Sequence, residues 1–119
     1  MDHKTLTTWT TAMELTRSIY SITQTFPKQE QYGITSQIRR AVISVPSNIA
    51  EGCARKSDKE LSHFIHIALG SLAELETLIL ISSDLGYIEQ TTPTELKITR
   101  LRKLLLGLRK YVTSPRTPK

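Results

Sequence analysis

The chain has 119 residues, of which 39% are apolar and 6% aromatic, and carries a net charge of +5. That length suits one domain whose single core is filled mainly by Leu, Ile, Val and Ala. The lone cysteine, Cys53, excludes an intrachain disulfide and is compatible with a reducing, cytoplasmic setting. No apolar run approaches the roughly 20 residues that cross a bilayer, and no signal core follows Met1-Asp2-His3-Lys4-Thr5, so no membrane partner is expected. The charge is uneven: residues 94–119 hold eight cations against Glu95 alone, whereas the first 93 residues hold eight basic and ten acidic side chains. A positive surface concentrated at one end of the chain favours a polyanion or an acidic protein as partner.

Four helical segments are predicted. The first spans about 6–26, with Trp9, Ala12, Met13, Thr16, Ile19, Tyr20, Thr23 and Phe26 as its inner stripe. Pro27 closes it, because proline disfavours helix in the residue before it. The second spans about 35–54 and contains Pro46, where a kink is expected. Ile38, Ala41, Val42, Val45 and Ile49 gather on one side of it, while Gln37, Arg40, Ser44, Ser47, Asn48, Glu51 and Arg55 gather on the other. Such a mixture of guanidinium, carboxylate, amide and hydroxyl can form a connected hydrogen-bond network against another surface.

The third helix spans about 58–85, with Ser57 and Glu60 as a capping box and Gly86 as a left-handed stop. The fourth spans about 94–112, opened by Thr92 as N-cap, Pro93 and Glu95. Residues 1–113 therefore form the domain and 114–119 a flexible tail. Strand signals are absent, and short connections between amphipathic helices make neighbours antiparallel. The expected fold is all-α, an antiparallel up-down-up-down four-helix bundle.

The third helix carries more apolar residues than one core can take. Leu61, Phe64, Ile65, Ala68, Leu72, Leu75, Leu78 and Ile79 form a core stripe, yet Leu69, Ala73 and Leu80 lie across from part of it and Ile67, Ile81 and Leu85 occupy another flank. Leu106 on the fourth helix also points away from its apolar stripe. A second copy of the chain is the expected cover. Gly70 and Ser71 agree, since small residues inside a helix weaken it and close approach of another helix would offset that loss. The plainer alternative is that this helix is simply the most buried member of one bundle.

Gln37-Ile38-Arg39-Arg40 and Ser44-Val45-Pro46-Ser47-Asn48-Ile49-Ala50-Glu51-Gly52, followed by Gly70-Ser71-Leu72-Ala73-Glu74-Leu75-Glu76-Thr77, closely resemble the small four-helix-bundle proteins encoded in intervening sequences of bacterial 23S rRNA genes. Phe26-Pro27-Lys28 and Leu85-Gly86-Tyr87-Ile88 fit the same pattern, and the resemblance covers about residues 6–112. It implies a ring of five protomers. It extends to the accessory variability determinants of diversity-generating retroelements, which implies a scaffold working beside a partner enzyme such as a reverse transcriptase.

Catalytic and metal chemistry find no support. His63 and His66 lack a third ligand, Cys53 lacks a base, and no phosphate loop or nucleophile elbow is present. Small helical RNA-cutting domains of the HEPN type place Arg four to six residues before His; here seven residues separate Arg55 from His63. No catalytic residue, cofactor or metal is therefore expected. Arg40, Ser44, Asn48, Glu51 and Arg55, with Gly70, Ser71 and Glu74, are assigned to an interface or interhelix network, because Glu51 would repel phosphate. Arg39 and Lys56 lie off the stripe and are candidate partner contacts. Arg100, Arg102, Lys103, Arg109 and Lys110 are the main candidates for holding RNA or DNA, with Arg102 and Arg109 expected on one side of the helix and the other three on its adjoining outer surface. The expected function is a non-enzymatic, oligomeric nucleic-acid-binding scaffold; the alternative is a protein-interaction module with no nucleic-acid role.

Overall fold

In the computed structural model, which describes residues 1–115, four α-helices account for most of the chain. They are α1 (Thr7–Thr23), α2 (Ile34–Ala54), α3 (Asp58–Asp84) and α4 (Thr92–Thr113). Short 3₁₀ turns at His3–Thr5 and Lys28–Glu30 precede α1 and α2. The helices pack antiparallel into a bundle with extents of 56 × 24 × 20 Å. Ser114 and Pro115 are exposed beyond α4, and the rest of the expected tail lies outside the described residues.

Local chemistry sets most boundaries. Ser57 Oγ accepts from the Glu60 backbone N–H at 3.1 Å and donates to the Glu60 carboxylate at 3.3 Å, completing the expected capping box. Gly86 takes φ +82°, and Gly86 N–H and Tyr87 N–H donate back to the Ser83 and Ser82 carbonyls, which ends α3. Two boundaries differ from expectation. Helix α1 stops at Thr23, three residues short of Phe26: the Phe26 N–H donates to the Thr23 carbonyl in a tight turn that turns the Phe26 ring into the core before Pro27. Helix α4 begins two residues early, at Thr92, with Thr91 at the N-cap position and its hydroxyl donating to the Glu95 carboxylate at 2.6 Å.

The core is a continuous column. Leu15 and Ile19 of α1, Ile38, Val42, Val45 and Ile49 of α2, Ile65, Leu72, Leu75 and Ile79 of α3, and Ile98, Leu101 and Leu105 of α4 are all inaccessible or nearly so. On α1 the buried face is Thr8, Thr11, Ala12, Leu15, Ile19 and Thr23, rotated from the expected stripe. Trp9, Met13, Thr16 and Tyr20 are only half-buried at its edge. Threonines 8 and 11 fill core positions that an apolar count overlooks, while the amphipathic rings take the margin where one edge stays wet. Helix α2 runs through Pro46, which is buried.

Helix α3 is the spine, packed against both α2 and α4. Its inner face is buried as expected, apart from Phe64, which is half-buried. Its outer face is not: Ile67, Leu80, Ile81 and Leu85 are between 37% and 53% exposed. By length and composition α3 is apolar enough to cross a membrane, with an 18-residue window of mean hydropathy 1.7, which corrects the expectation that no segment qualifies. The long apolar count arises because core residues and outer residues add along one helix.

One end of the bundle is tied across its loops. The Tyr87 hydroxyl donates to the Glu30 carboxylate at 2.7 Å, and the Tyr87 and Phe26 rings lie 5.4 Å apart. Donation to Glu30 raises the Tyr87 phenol above its ordinary value. A raised folded-state value means this contribution is intact below the unfolded-state value and is lost as pH rises through the folded one. Denaturation midpoints taken across the alkaline range should fall more steeply for the wild type than for Tyr87→Phe. A second prediction concerns Gly52, where an added Cβ would lie 2.9 Å from Leu61 Cδ1 and 2.9 Å from Phe64 Cβ. Gly52→Ala should lower stability by about 1–3 kcal/mol in urea denaturation, since α2 and α3 must part to admit it.

Candidate functional site

The basic residues of α4 do not form one patch. Lys97 Nζ donates to Ser18 Oγ of α1 at 3.0 Å. Arg100, one turn on, lines with Lys97 a groove of about 170 Å³ between α1 and α4, together with Thr11, Glu14 and Leu15. Arg102 turns to the opposite flank and pairs with Glu76 of α3 at 2.8 Å, both side chains about one-third exposed. Arg109 is half-buried, while Lys103 and Lys110, seven residues apart, are exposed. Arg100, Lys103 and Lys110 are all exposed, and their spacing of three and seven residues keeps them on one side of α4, with Arg100 nearest α1. A helix packed between α1 and α3 turns Lys97 to the first and Arg102 to the second.

Two further candidates are engaged inside the protomer. Arg39 Nε donates to Thr23 Oγ1 at 3.0 Å, a second guanidinium N–H reaches the Tyr20 carbonyl at 3.5 Å, and the group lies 4.4 Å from the Tyr20 ring centroid. It therefore clamps α2 to the end of α1. Arg102 does the same between α4 and α3. Arg39 commits two of its guanidinium nitrogens inside the protomer and Arg102 one. Lys56 is exposed in the turn between α2 and α3.

The polar stripe of α2 divides into two parts. Ser44 Oγ lies 2.8 Å from Ser71 Oγ of α3, and Asn48 Nδ2 donates to both the carbonyl and the hydroxyl of Ser44, at 2.7 and 2.9 Å. These three half-buried side chains form a small hydrogen-bonded seam between α2 and α3. Glu51 and Arg55 form a separate i, i+4 ion pair at 3.1 Å, and Arg55 also lies 5.0 Å from the Phe64 ring centroid. Arg40 and Glu74 are exposed and join neither part within the protomer. Gly70 is exposed, and a Cβ there would meet nothing within 4 Å. No helix of the same protomer takes up the space it leaves.

Cys53 is buried, and burial pushes its thiol above the ordinary value. His63 and His66 are exposed, and among the described residues no cluster of three His, Cys, Asp or Glu is arranged to hold a metal ion. The ion pairs among the described residues are Arg55–Glu51 and Arg102–Glu76. Arg100, Lys103, Arg109 and Lys110 thus carry charge that no carboxylate among the described residues balances within ion-pair distance.

These assignments separate structural from open cations by measurement. Arg102→Ala should lower stability by up to about 1 kcal/mol at fixed protein concentration, the usual scale of a partly exposed pair. Lys103→Ala should change it by less than about 0.5 kcal/mol. Guanidinium denaturation of both variants, with Glu76→Ala to close a double-mutant cycle, checks the difference.

The clamps across α1–α2 and α3–α4, the serine–asparagine seam, and the Gly-Ser step on α3 all fall within residues 4–107, which match the family model described as 23S rRNA-intervening sequence protein. Comparison with curated proteins finds no match. With nearly the whole bundle covered by that match, the chain belongs to the 23S rRNA-intervening sequence protein family.

Proposed function

We propose that this protein is a non-enzymatic scaffold that assembles into a homo-oligomer, a ring of five in keeping with the family resemblance, and holds RNA or DNA by its phosphates as an accessory to a partner enzyme in the cytoplasm. The observation that carries the binding half is the unbalanced charge on α4. Among the described residues Arg100, Lys103, Arg109 and Lys110 have no carboxylate partner, and Lys97 adds a further cation on the α1 side. One protomer offers only a few such contacts, spread along a helix. Repeating them around an assembly sums their field and multiplies their contacts with one polyanion. Tyr111 is the only aromatic residue among them, so phosphates rather than stacked bases are the target.

Binding of this kind is salt-dependent. Fluorescence anisotropy with a labelled single-stranded RNA should give log K falling linearly with log salt, with a slope of about −0.7 per phosphate contact on single strands. Lys103→Ala combined with Lys110→Ala should flatten that slope and weaken unrelated sequences alike. Binding that ignores salt, or no binding in dilute buffer by an assembled protein, contradicts the nucleic-acid role. The exposed apolar residues of α3 would then favour a module that meets only other proteins.

A further inference from the structure

A groove of about 270 Å³ opens where the end of α1 turns into the start of α2, and its lining comes entirely from residues 23–39. Its lining is divided in character. Phe26 and Pro27 supply an apolar part, while Gln24, Lys28, Gln31 and Arg39 supply amides and cations. No carboxylate lines it among the described residues. Glu30, the nearest acid in the chain, is engaged elsewhere: its carboxylate accepts from the Tyr87 hydroxyl at 2.7 Å and from the Ile34 N–H at 3.4 Å.

Two observations mark this groove as a place for a ligand. Thr35 lines it although only 8% exposed, and the Thr35 hydroxyl is buried with no hydrogen-bond partner among the described residues. Native proteins match nearly all such groups, because an unmatched one loses its bond to water and gains nothing. Thr16 and Thr23 on α1 bond back to a carbonyl four residues earlier. Thr35 is the second residue of α2 and has no complete helical turn before it to offer that carbonyl. The other observation is that Arg39 is held in place. Its Nε donates to Thr23 Oγ1, Nη2 reaches the Tyr20 carbonyl, and the Tyr20 ring packs against the guanidinium. These contacts fix the plane of the group and leave Nη1 without a partner among the described residues.

We propose that this groove binds a phosphate monoester. Such a group carries a charge of about −1.5 to −2 at neutral pH and presents three acceptor oxygens. Arg39 and Lys28 together balance that charge, and no lining carboxylate opposes it. The Thr35 hydroxyl gains the acceptor that the protomer does not give it. The amides of Gln24 and Gln31 supply further donors, and the apolar part at Phe26 and Pro27 takes the organic portion of the ester. An internal phosphate of a nucleic-acid strand is a diester with a single charge, and it would leave one of the two cations unmatched. The site is separate from the open cations of α4 and needs no second copy of the chain.

Isothermal titration calorimetry of the full chain with adenosine 5′-monophosphate, and with adenosine as the control lacking phosphate, tests the proposal. The nucleotide should bind and the nucleoside should not. Lys28→Gln and Thr35→Val should each weaken the nucleotide by about tenfold or more, the scale of one hydrogen bond to a charged group. Thr35→Val also separates ligand from fold. It exchanges an unmatched hydroxyl for a methyl of the same shape, so the free variant should be at least as stable as the wild type in urea. A 5′-phosphorylated RNA that displaces the nucleotide, beside a 5′-hydroxyl twin that does not, assigns the ester to strand ends. If neither RNA displaces it, the ester is a free small molecule. No binding of the nucleotide at millimolar concentration overturns the proposal, and so does binding that both variants retain in full. Displacement by both RNAs alike overturns it as well, since the groove would then take internal phosphates.

Discussion

Helix α3 has to satisfy two apolar surfaces with only one core. Its inner side chains, from Leu61 to Ile79, close the column that holds the bundle together. If each fully buried Leu or Ile contributes about 1.5–3 kcal/mol, this one face is worth more than the net stability of an ordinary small domain. The outer side chains Ile67, Leu80, Ile81 and Leu85 gain nothing from that column. The fold and the proposed assembly both follow from how a single helix distributes its apolar residues.

The polar side chains deal with the consequences. Between α2 and α3, Ser44, Asn48 and Ser71 satisfy one another, which lets a half-buried seam stay dry of unmatched donors. At the margins, Arg39 and Arg102 use guanidinium groups to tie α2 to α1 and α4 to α3. Arginine suits this work because its planar fork can bond, pair and stack at once, as Arg39 does over Tyr20. The cations left over on α4 are those with no such neighbour. Structural and functional charge on this protein are thus distinguished by what the facing helix offers, and position in the sequence does not predict it.

Much of the architecture was legible in the chain. The capping box at Ser57 and Glu60, the left-handed stop at Gly86 and the alternation of faces on α2 are local signals, each set by residues a few positions apart. The exposed flank of α3 was legible for the same reason, since a helix cannot hide residues on every side. The inner face of α1 was not, because Thr8 and Thr11 fill core positions that a count of apolar residues leaves out. The fates of Arg39 and Arg102 were also hidden. Their partners, Thr23, Tyr20 and Glu76, lie 16, 19 and 26 residues away, and only the packing of helices brings them together. Seven-residue spacing places Arg102 and Arg109 on one side of α4 but does not say that α3 already occupies that side.

The most direct measurement is the mass of the protein in solution, by sedimentation velocity over a wide concentration range at low and moderate salt. The chain has a mass of 13.5 kDa. If the outer face of α3 needs a second copy to cover it, the sedimenting species is a defined multiple of that mass and persists on dilution. A single species of 13.5 kDa at every concentration would mean that α3 leaves its outer apolar face in water, and the shared basis of the assembly and of its pooled charge would be gone.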